Sequence, residues 1–140
     1  MRVLAIDAGA RRVGLAISDR TRTLARPLST IAVTGVADAV ERVARVVDAL
    51  GAEEDGLDTI VVGLPARLDG SPTTSTADVR SFIDGLAART ERTIVTADER
   101  LTSREAESRL AVREKDWRKR KEKLDAAAAA IILQDYLDQA

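Results

Sequence analysis

Residues 2–19 read RVLAIDAGARRVGLAISD, and this stretch decides how the rest of the chain is interpreted. Arg2 to Ile6 form an apolar run that ends at Asp7 and is typical of a buried β-strand. Arg12 to Ser18 have the alternation of a second strand, and Ala8 to Arg11 form a connection short enough for a hairpin. The chain is therefore expected to begin with two antiparallel strands that carry a carboxylate, Asp7, beside their turn.

Strand and helix patterns alternate along the rest of the chain. A clear amphipathic helix is predicted where Val36, Val40, Val43, Val47 and Leu50 recur at helical spacing. The other predicted strands are 24–31, in which Pro27 suggests an edge or a bulge, 59–64 and 93–97. The other predicted helices begin near Ser75 or Thr76, directly after the capping-box pattern of residues 102–105, and at Leu124.

The order βββ-α-β-α-β-α-α predicts an α/β fold with a five-stranded mixed sheet and helices on both faces. Residues 65–75 are predicted to form a polar loop, and residues 111–123 a mobile loop or a fraying helix end. No repeat or linker divides the sequence, so residues 1–140 are expected to form a single domain.

The absence of cysteine and histidine restricts the chemistry that this chain can perform. Thiolate nucleophiles, disulfide-linked dimers, imidazole proton shuttles and His- or Cys-based zinc sites are excluded. Carboxylates remain, and they suit hard cations such as Mg²⁺ or Mn²⁺. No apolar run approaches the roughly 18 residues of a membrane span. Residues 1–6 run straight into Asp7 without a cleavage site, so a cytoplasmic protein is expected.

The net charge of −1 conceals an uneven distribution of charged residues. Residues 1–26 carry six arginines against Asp7 and Asp19, and residues 111–123 carry seven lysines and arginines against three acids. Residues 36–58 hold seven acids against two arginines. If the basic segments share a face, they form a surface that attracts phosphates, with an acidic back. The alternative is a solvated surface on which charges cluster by accident.

Three carboxylates lie at predicted element ends. Asp7 ends the first strand, Glu99 follows the last strand, and Asp125 opens the last helix. Carboxyl ends of parallel strands meet at one sheet edge, so the three side chains are expected to converge there and to bind cations. Each acid also has a structural explanation as a turn or helix cap. Glu122, one turn before Asp125, could replace it.

At these positions the sequence resembles the YqgF/RuvX family of Holliday-junction-resolvase-like proteins. The resemblance covers essentially the whole chain, with four motifs in the family's order. One departure is Ala8, where the family usually has proline after its first aspartate. The matching residues are 6–9 with 12–19, 61–65 with 68–71, 98–102, and 123–125 with 127–128 and 132–134.

The resemblance implies an RNase H-like (RuvC-type) fold and a metal-dependent nuclease in which Asp7, Glu99 and Asp125 hold two Mg²⁺ or Mn²⁺ ions. Asp98 and Arg100 are secondary candidates. The family is linked to maturation of the small-subunit (16S) ribosomal RNA precursor, with resolution of Holliday junctions or other branched DNA as the alternative. Phosphodiester hydrolysis without histidine independently fits a two-metal mechanism.

Nucleic acid is the expected partner, RNA before branched DNA, and a homodimer stays open. The residues expected to contact it are Arg11, Arg12, Arg100, Lys115, Trp117, Arg118, Lys119, Arg120 and Lys121. Trp117 could stack on an unpaired base or attach the basic segment to the core.

Two competing interpretations are a non-catalytic nucleic-acid-binding module of the same fold and a phosphotransferase of the actin and sugar-kinase kind. The first would lack one of the acids or hold it in an ion pair. The second needs two such domains, and 140 residues supply one.

Overall fold

The first two strands form the predicted hairpin in the computed structural model, which describes residues 1–64, 74–98 and 117–139. Strand β1 (Arg2–Ala8) pairs antiparallel with β2 (Arg12–Ser18), and Asp7 lies opposite Gly14. The Gly9 N–H donates to the Arg12 carbonyl at 2.8 Å. A Cβ at Gly9 would lie 2.7 Å from that same oxygen, so the turn requires glycine at this position.

The hairpin is the centre of a five-stranded mixed sheet, as the sequence predicts. The other strands are β3 (Ala25–Ala32), β4 (Leu57–Leu64) and β5 (Thr93–Asp98), and the order across the sheet is β3-β2-β1-β4-β5. Strand β4 is parallel to both β1 and β5, whereas β2 and β3 are antiparallel to their neighbours. The prediction that Pro27 marks an edge or a bulge is confirmed. Strand β3 is an edge strand, and its pairing with β2 shifts register between Leu15, which pairs with Ser29, and Ala16, which pairs with Pro27.

Helices cover both faces of the sheet, which confirms the predicted layers. The first two helices, α1 (Val36–Ala52) and α2 (Thr74–Ala87), pack on one face; the third, α3 (Trp117–Gln139), packs on the other. The α1–α2 face buries mainly Leu4, Ile6, Val13, Leu15, Val43, Val47, Ile60, Val62, Val79, Phe82 and Leu86. The α3 face buries Val3, Ala5, Ala16, Val61, Ala129, Ile132, Leu133 and Leu137. In the part of the chain that the structure describes, no helix is long and apolar enough to cross a membrane.

The start of the last helix differs from the prediction. Helix α3 begins at Trp117 rather than Leu124, so residues 117–123 belong to the end of a helix, which was one predicted alternative, and not to a loop, which was the other. The physical reason is that arginine, lysine and glutamate are good helix formers and that no glycine or proline interrupts them. Asp125 therefore lies roughly two turns into the helix, not in its first turn. The predicted helix after the capping box at 102–105 lies outside the described residues, as do residues 65–73 of the predicted loop 65–75, whose last two residues belong to α2 instead.

The direction of α3 is set by contacts at its two ends. The Gln134 amide oxygen accepts the Ala25 N–H at 2.9 Å, and its nitrogen donates to the Thr23 carbonyl at 3.0 Å. Ala126 instead lines a groove with Arg12 and Ala32, at the opposite edge of the sheet. The N-terminal half of α3 therefore lies over the edge at which β1 ends.

Arg2 is a buried cation that joins β1 to the connection between α1 and β4. Its Nε donates to the Gly56 carbonyl at 3.0 Å, and its Nη2 donates to the Leu50 carbonyl at 3.1 Å. Its ion pair with Glu53, at 3.3 Å, is the weaker contact because half of the Glu53 side chain is exposed.

We expect Arg2→Met to lower the free energy of unfolding by about 2 to 4 kcal/mol, because two buried carbonyl groups lose a charged donor. Glu53→Gln, the matched control, keeps both bonds and should cost about 0.5 kcal/mol or less. Urea denaturation of both variants measures the difference. Equal losses would show that the ion pair, not the carbonyl bonds, makes the contribution.

Gln134→Ala should lower the free energy of unfolding by about 1 to 3 kcal/mol, because two hydrogen bonds between α3 and the β2–β3 connection are lost. Amide exchange at Ala25 should become faster, since its N–H loses its acceptor. The control is Gln139→Ala at the exposed last residue of α3. Unchanged exchange at Ala25 would contradict this role of Gln134.

Candidate active site

Asp7 lies at the carboxyl end of the central strand, on the face that α3 covers. Alternation along β1 assigns the faces: Leu4 and Ile6 belong to the α1–α2 cluster, and Val3 and Ala5 pack against α3. Asp7 follows Val3 and Ala5 in this alternation, so its side chain lies on the α3 face. Its side chain is half-buried, so a carboxylate is held at the boundary between the core and the solvent.

The backbone of Asp125 reaches the same edge and the same face. Asp125 directly precedes Ala126, which lines a groove with Arg12, and Arg12 lies at the start of β2 opposite Ala32. Arg12 and Gly14 are two residues apart and so share a sheet face, and Gly14 pairs with Asp7. The fold therefore places Asp7 and the backbone of Asp125 at the same edge of the sheet, with Asp125 roughly two turns into a helix rather than at its start.

The third predicted acid, Glu99, lies outside the described residues, as do Arg100 and Lys115. The strand that leads to Glu99 does end at the expected edge, because Asp98 pairs with Leu64 at the end of β4, and β4 is parallel to β1. Strand β4 separates β1 from β5 in the sheet. Among the side chains that the structure describes, no group of three or more His, Cys, Asp or Glu could hold a metal. The trio of Asp7, Glu99 and Asp125 remains a prediction.

A groove of about 390 Å³ is lined by β3, by Arg12 at the start of β2 and by Ala126 of α3. Its lining includes the polar residues Arg12, Ser29 and Thr30 and the apolar residues Pro27, Leu28 and Ala126. Thr30 pairs with Gly14 and so shares the α3 face with Arg12, and a guanidinium with a hydroxyl group along an open wall is suited to a sugar–phosphate backbone. The predicted phosphate contact of Arg12 therefore lies next to the candidate site, and the exposed Arg11 precedes it in the turn.

The basic segment continues from this groove along α3. Trp117 and residues 118–121 form the beginning of the helix. Residues 118–121 precede Ala126 by a helix length of roughly 8 to 12 Å, beyond the edge at which Asp7 lies. Helix α1, which carries much of the acidic segment, packs on the opposite face of the sheet. Arg11 and Arg12 thus lie at the same edge as the beginning of α3, whereas Arg2 and Arg22 of the first basic segment bind Leu50 and Asp58 at the opposite edge.

A second cavity, of about 330 Å³, opens on the other side of the β1–β2 turn; we call it the turn cleft. It lies between the turn and the helices α1 and α2. Asp78, the exposed acid of α2 at its rim, was not predicted. In the sequence, an acid before the apolar Val79 gives only a weak indication of a functional residue. The cleft that contains Asp78 forms only when α2 packs beside the turn. The lining residues are Asp7, Ala8, Gly9, Ala10, Gly35, Val36, Ala39, Asp78, Val79 and Phe82.

One acid near the turn cleft has a structural role. Asp38 accepts the backbone N–H of Thr34 at 2.9 Å and pairs with Arg42 at 3.0 Å. The Thr34 hydrogen bond, followed by that of Arg42, holds the pKa of Asp38 below its ordinary value. Asp38 thus caps the chain at the start of α1, and both of its oxygens already have donors.

Comparison with known proteins agrees with this architecture. A "Putative pre-16S rRNA nuclease" of Chloroflexus aggregans is 41% identical over 136 residues, which are 97% of this chain and 92% of the relative. A protein of the same name from Maridesulfovibrio salexigens is 39% identical over the full length of both chains. Thermus thermophilus RuvC, solved with a Holliday junction substrate, superimposes with a TM-score of 0.59 at 16% identity, covering 99% of this chain and 94% of RuvC.

The RuvC superposition confirms the predicted RNase H-like fold and carries no more than that. The family assignment rests on sequence: the model described as "RuvX: Holliday junction resolvase" matches residues 1–139, and the two relatives cover nearly the whole chain. On this basis the chain belongs to the RuvX family.

Proposed function

We propose that this protein is a cytoplasmic nuclease, acting as one domain, that hydrolyses phosphodiester bonds in the 5′-end maturation of pre-16S rRNA. The observation that supports the proposal is that Asp7 and the α3 backbone around Ala126 lie at the same edge of an RNase H-like sheet. The relatives that match over nearly their full length are named for this RNA substrate. The basic start of α3 supports a polyanionic partner.

The donors at this edge suit two hard divalent cations, Mg²⁺ or Mn²⁺. Carboxylate oxygens are the ligands that these ions prefer, and the half-buried Asp7 lies where a second carboxylate-bearing element, α3, passes over it. Asp7, Glu99 and Asp125 would hold these ions. When bound, such a pair of ions lowers the pKa of the attacking water and neutralises charge on the leaving 3′ oxygen.

The chain's own residues then bind and orient the substrate. A water oxygen attacks the phosphorus, the bond to the 3′ oxygen breaks, and a 5′-phosphate and a 3′-hydroxyl are released. Arg12 would hold a phosphate beside the scissile one, with Ser29 and Thr30 along the same groove. Because the chain has no histidine, no imidazole transfers the proton. The lysines and arginines of residues 118–121 would bind the backbone without reading its sequence.

A second candidate function is the resolution of branched DNA, favoured by the description of the matching family model. It would use the same acids on a different substrate. Resolution requires two symmetric cuts, so this function would also require a homodimer, whereas trimming an RNA end would not.

We expect Asp7→Asn to lower metal-dependent cleavage by at least about a hundredfold, because a ligand worth several kcal/mol in the transition state is lost. The assay uses pre-16S rRNA fragments, duplex DNA and a four-way junction, each with Mg²⁺, Mn²⁺ or EDTA. Asp55→Asn, in the exposed turn before β4 at the opposite edge, is the control. Binding without cleavage in every metal would overturn the nuclease and favour a binding module. Cleavage of the junction alone would favour the resolvase.

Arg12→Ala should weaken the binding of single-stranded RNA. It should also lower the slope of the logarithm of the binding constant against the logarithm of the salt concentration by about one released counterion, because one phosphate contact is lost. Fluorescence anisotropy between 50 and 200 mM salt, roughly the range over which such contacts are resolved, measures the slope. Arg45→Ala on the α1 face is the control. An unchanged slope for Arg12→Ala would remove this groove from the interface.

A further inference from the structure

We propose that the turn cleft holds one unpaired nucleobase of the substrate and selects bases with an exocyclic amino group through Asp78. The inference rests on the proposed nuclease function and adds a specificity-determining residue to it. The cleft begins where β1 ends, and Asp7 is among its lining residues. A base in the cleft would therefore belong to a nucleotide close to the phosphate at the catalytic edge.

The walls of the turn cleft suit a flat and largely apolar group. Ala39, Val79 and Phe82 form part of the lining and are themselves 5%, 3% and 2% exposed, so they are fixed by the core beneath them. The remaining apolar atoms come from small residues of the turn and from Val36. A volume of about 330 Å³ accommodates a planar base and lies within the range of small-molecule pockets.

The charges around the cleft indicate what the ligand must present. Among the described residues that line the cleft, Asp78 supplies a carboxylate on the α1–α2 face and none is a lysine or arginine. A phosphate group would meet the Asp78 carboxylate there without a cation from these residues to neutralise it. A group with hydrogen-bond donors, by contrast, would find the Asp78 carboxylate as its acceptor. The cleft therefore fits a base, whereas the groove that contains Arg12 fits the backbone.

The acceptor at Asp78 distinguishes among the four bases. Adenine and cytosine present amino groups at N6 and N4, and guanine presents N1–H and N2 donors, all of which a carboxylate can accept. Uracil has no amino group, and its N3–H donor lies between the O2 and O4 oxygens, which repel a carboxylate that approaches it. We expect uracil to be the disfavoured base.

Gly35 offers a way to fill the cleft without disturbing the core. Its φ of 162° is extended backbone that any residue adopts, and an added Cβ would meet no atom within 4 Å. Gly35→Phe would place a ring in or across the cleft. Gly35→Ala, the matched control, adds only the Cβ and leaves room for a base.

The test is a titration of ¹⁵N-labelled protein, without metal, with AMP, CMP, UMP and ribose 5-phosphate. We expect AMP and CMP to shift the amide signals of Gly9, Gly35 and Val79, and to bind about three- to tenfold more tightly than UMP. Ribose 5-phosphate should not shift these signals. Gly35→Phe should abolish the shifts and Gly35→Ala should retain them, with thermal melts confirming that both variants are folded.

Asp78→Asn keeps the shape of the side chain but offers both a donor and an acceptor, so the preference over UMP should disappear. Asp84→Asn, at an exposed position of the same helix that does not line the cleft, should retain the preference. Equal shifts by all four compounds, or shifts that Gly35→Phe leaves unchanged, would overturn the proposal.

The titration tests the base pocket and the cleavage assay tests the nuclease, so either proposal can be overturned without the other. A protein that cleaves no substrate but shows the predicted shifts would support base binding in the cleft and overturn the nuclease. A protein that cleaves RNA but shows no shift at Gly9, Gly35 or Val79 would leave the nuclease intact and overturn the base pocket.

Discussion

The hydrogen bond from the Gly9 N–H to the Arg12 carbonyl is the constraint on which the candidate site depends. It closes the β1–β2 turn so tightly that a side chain at Gly9 would collide with the same oxygen. The closed turn places Asp7 and Arg12 close together on one sheet face, one as a carboxylate and the other as a guanidinium. It also forms one wall of the turn cleft on the opposite face. A single backbone reversal thus supports both the proposed chemistry and the proposed base recognition.

The two faces of the sheet differ in charge, because different helices cover them. Helix α1 neutralises much of its acidic surface through pairs with arginine. The guanidinium of Arg89, followed by that of Arg45, holds the pKa of Glu41 below its ordinary value. On the other face, the basic beginning of α3 extends past the edge at which Asp7 lies. A polyanion approaching the protein would therefore be attracted to the edge at which Asp7 and the basic beginning of α3 lie.

Helix α3 spans the sheet from one end of its strands to the other. Gln134 binds the β2–β3 connection at one end, and Ala126 lines a groove with Arg12 and Ala32 at the other. Between them, Ala129, Ile132 and Leu133 are buried against β1 and its neighbours. Because the helix is held along this length, the position of Asp125 relative to Asp7 is set by a rigid element rather than by a loop. This is what a site with fixed ligand geometry requires.

The sequence by itself determined the hairpin, the order of the strands and helices, and the position of Asp7 at a strand end, because these follow from local alternation and helical spacing. The absence of histidine and cysteine likewise restricted the chemistry to carboxylates. Only the tertiary structure decided that Gln134 and Ala126 set the direction of α3 and that Asp78 shares a cleft with Asp7. Local patterns cannot specify these features, because each depends on which surfaces meet after the chain has folded. Asp78 and Asp7 are far apart in the sequence, and packing of α2 beside the turn alone brings them together.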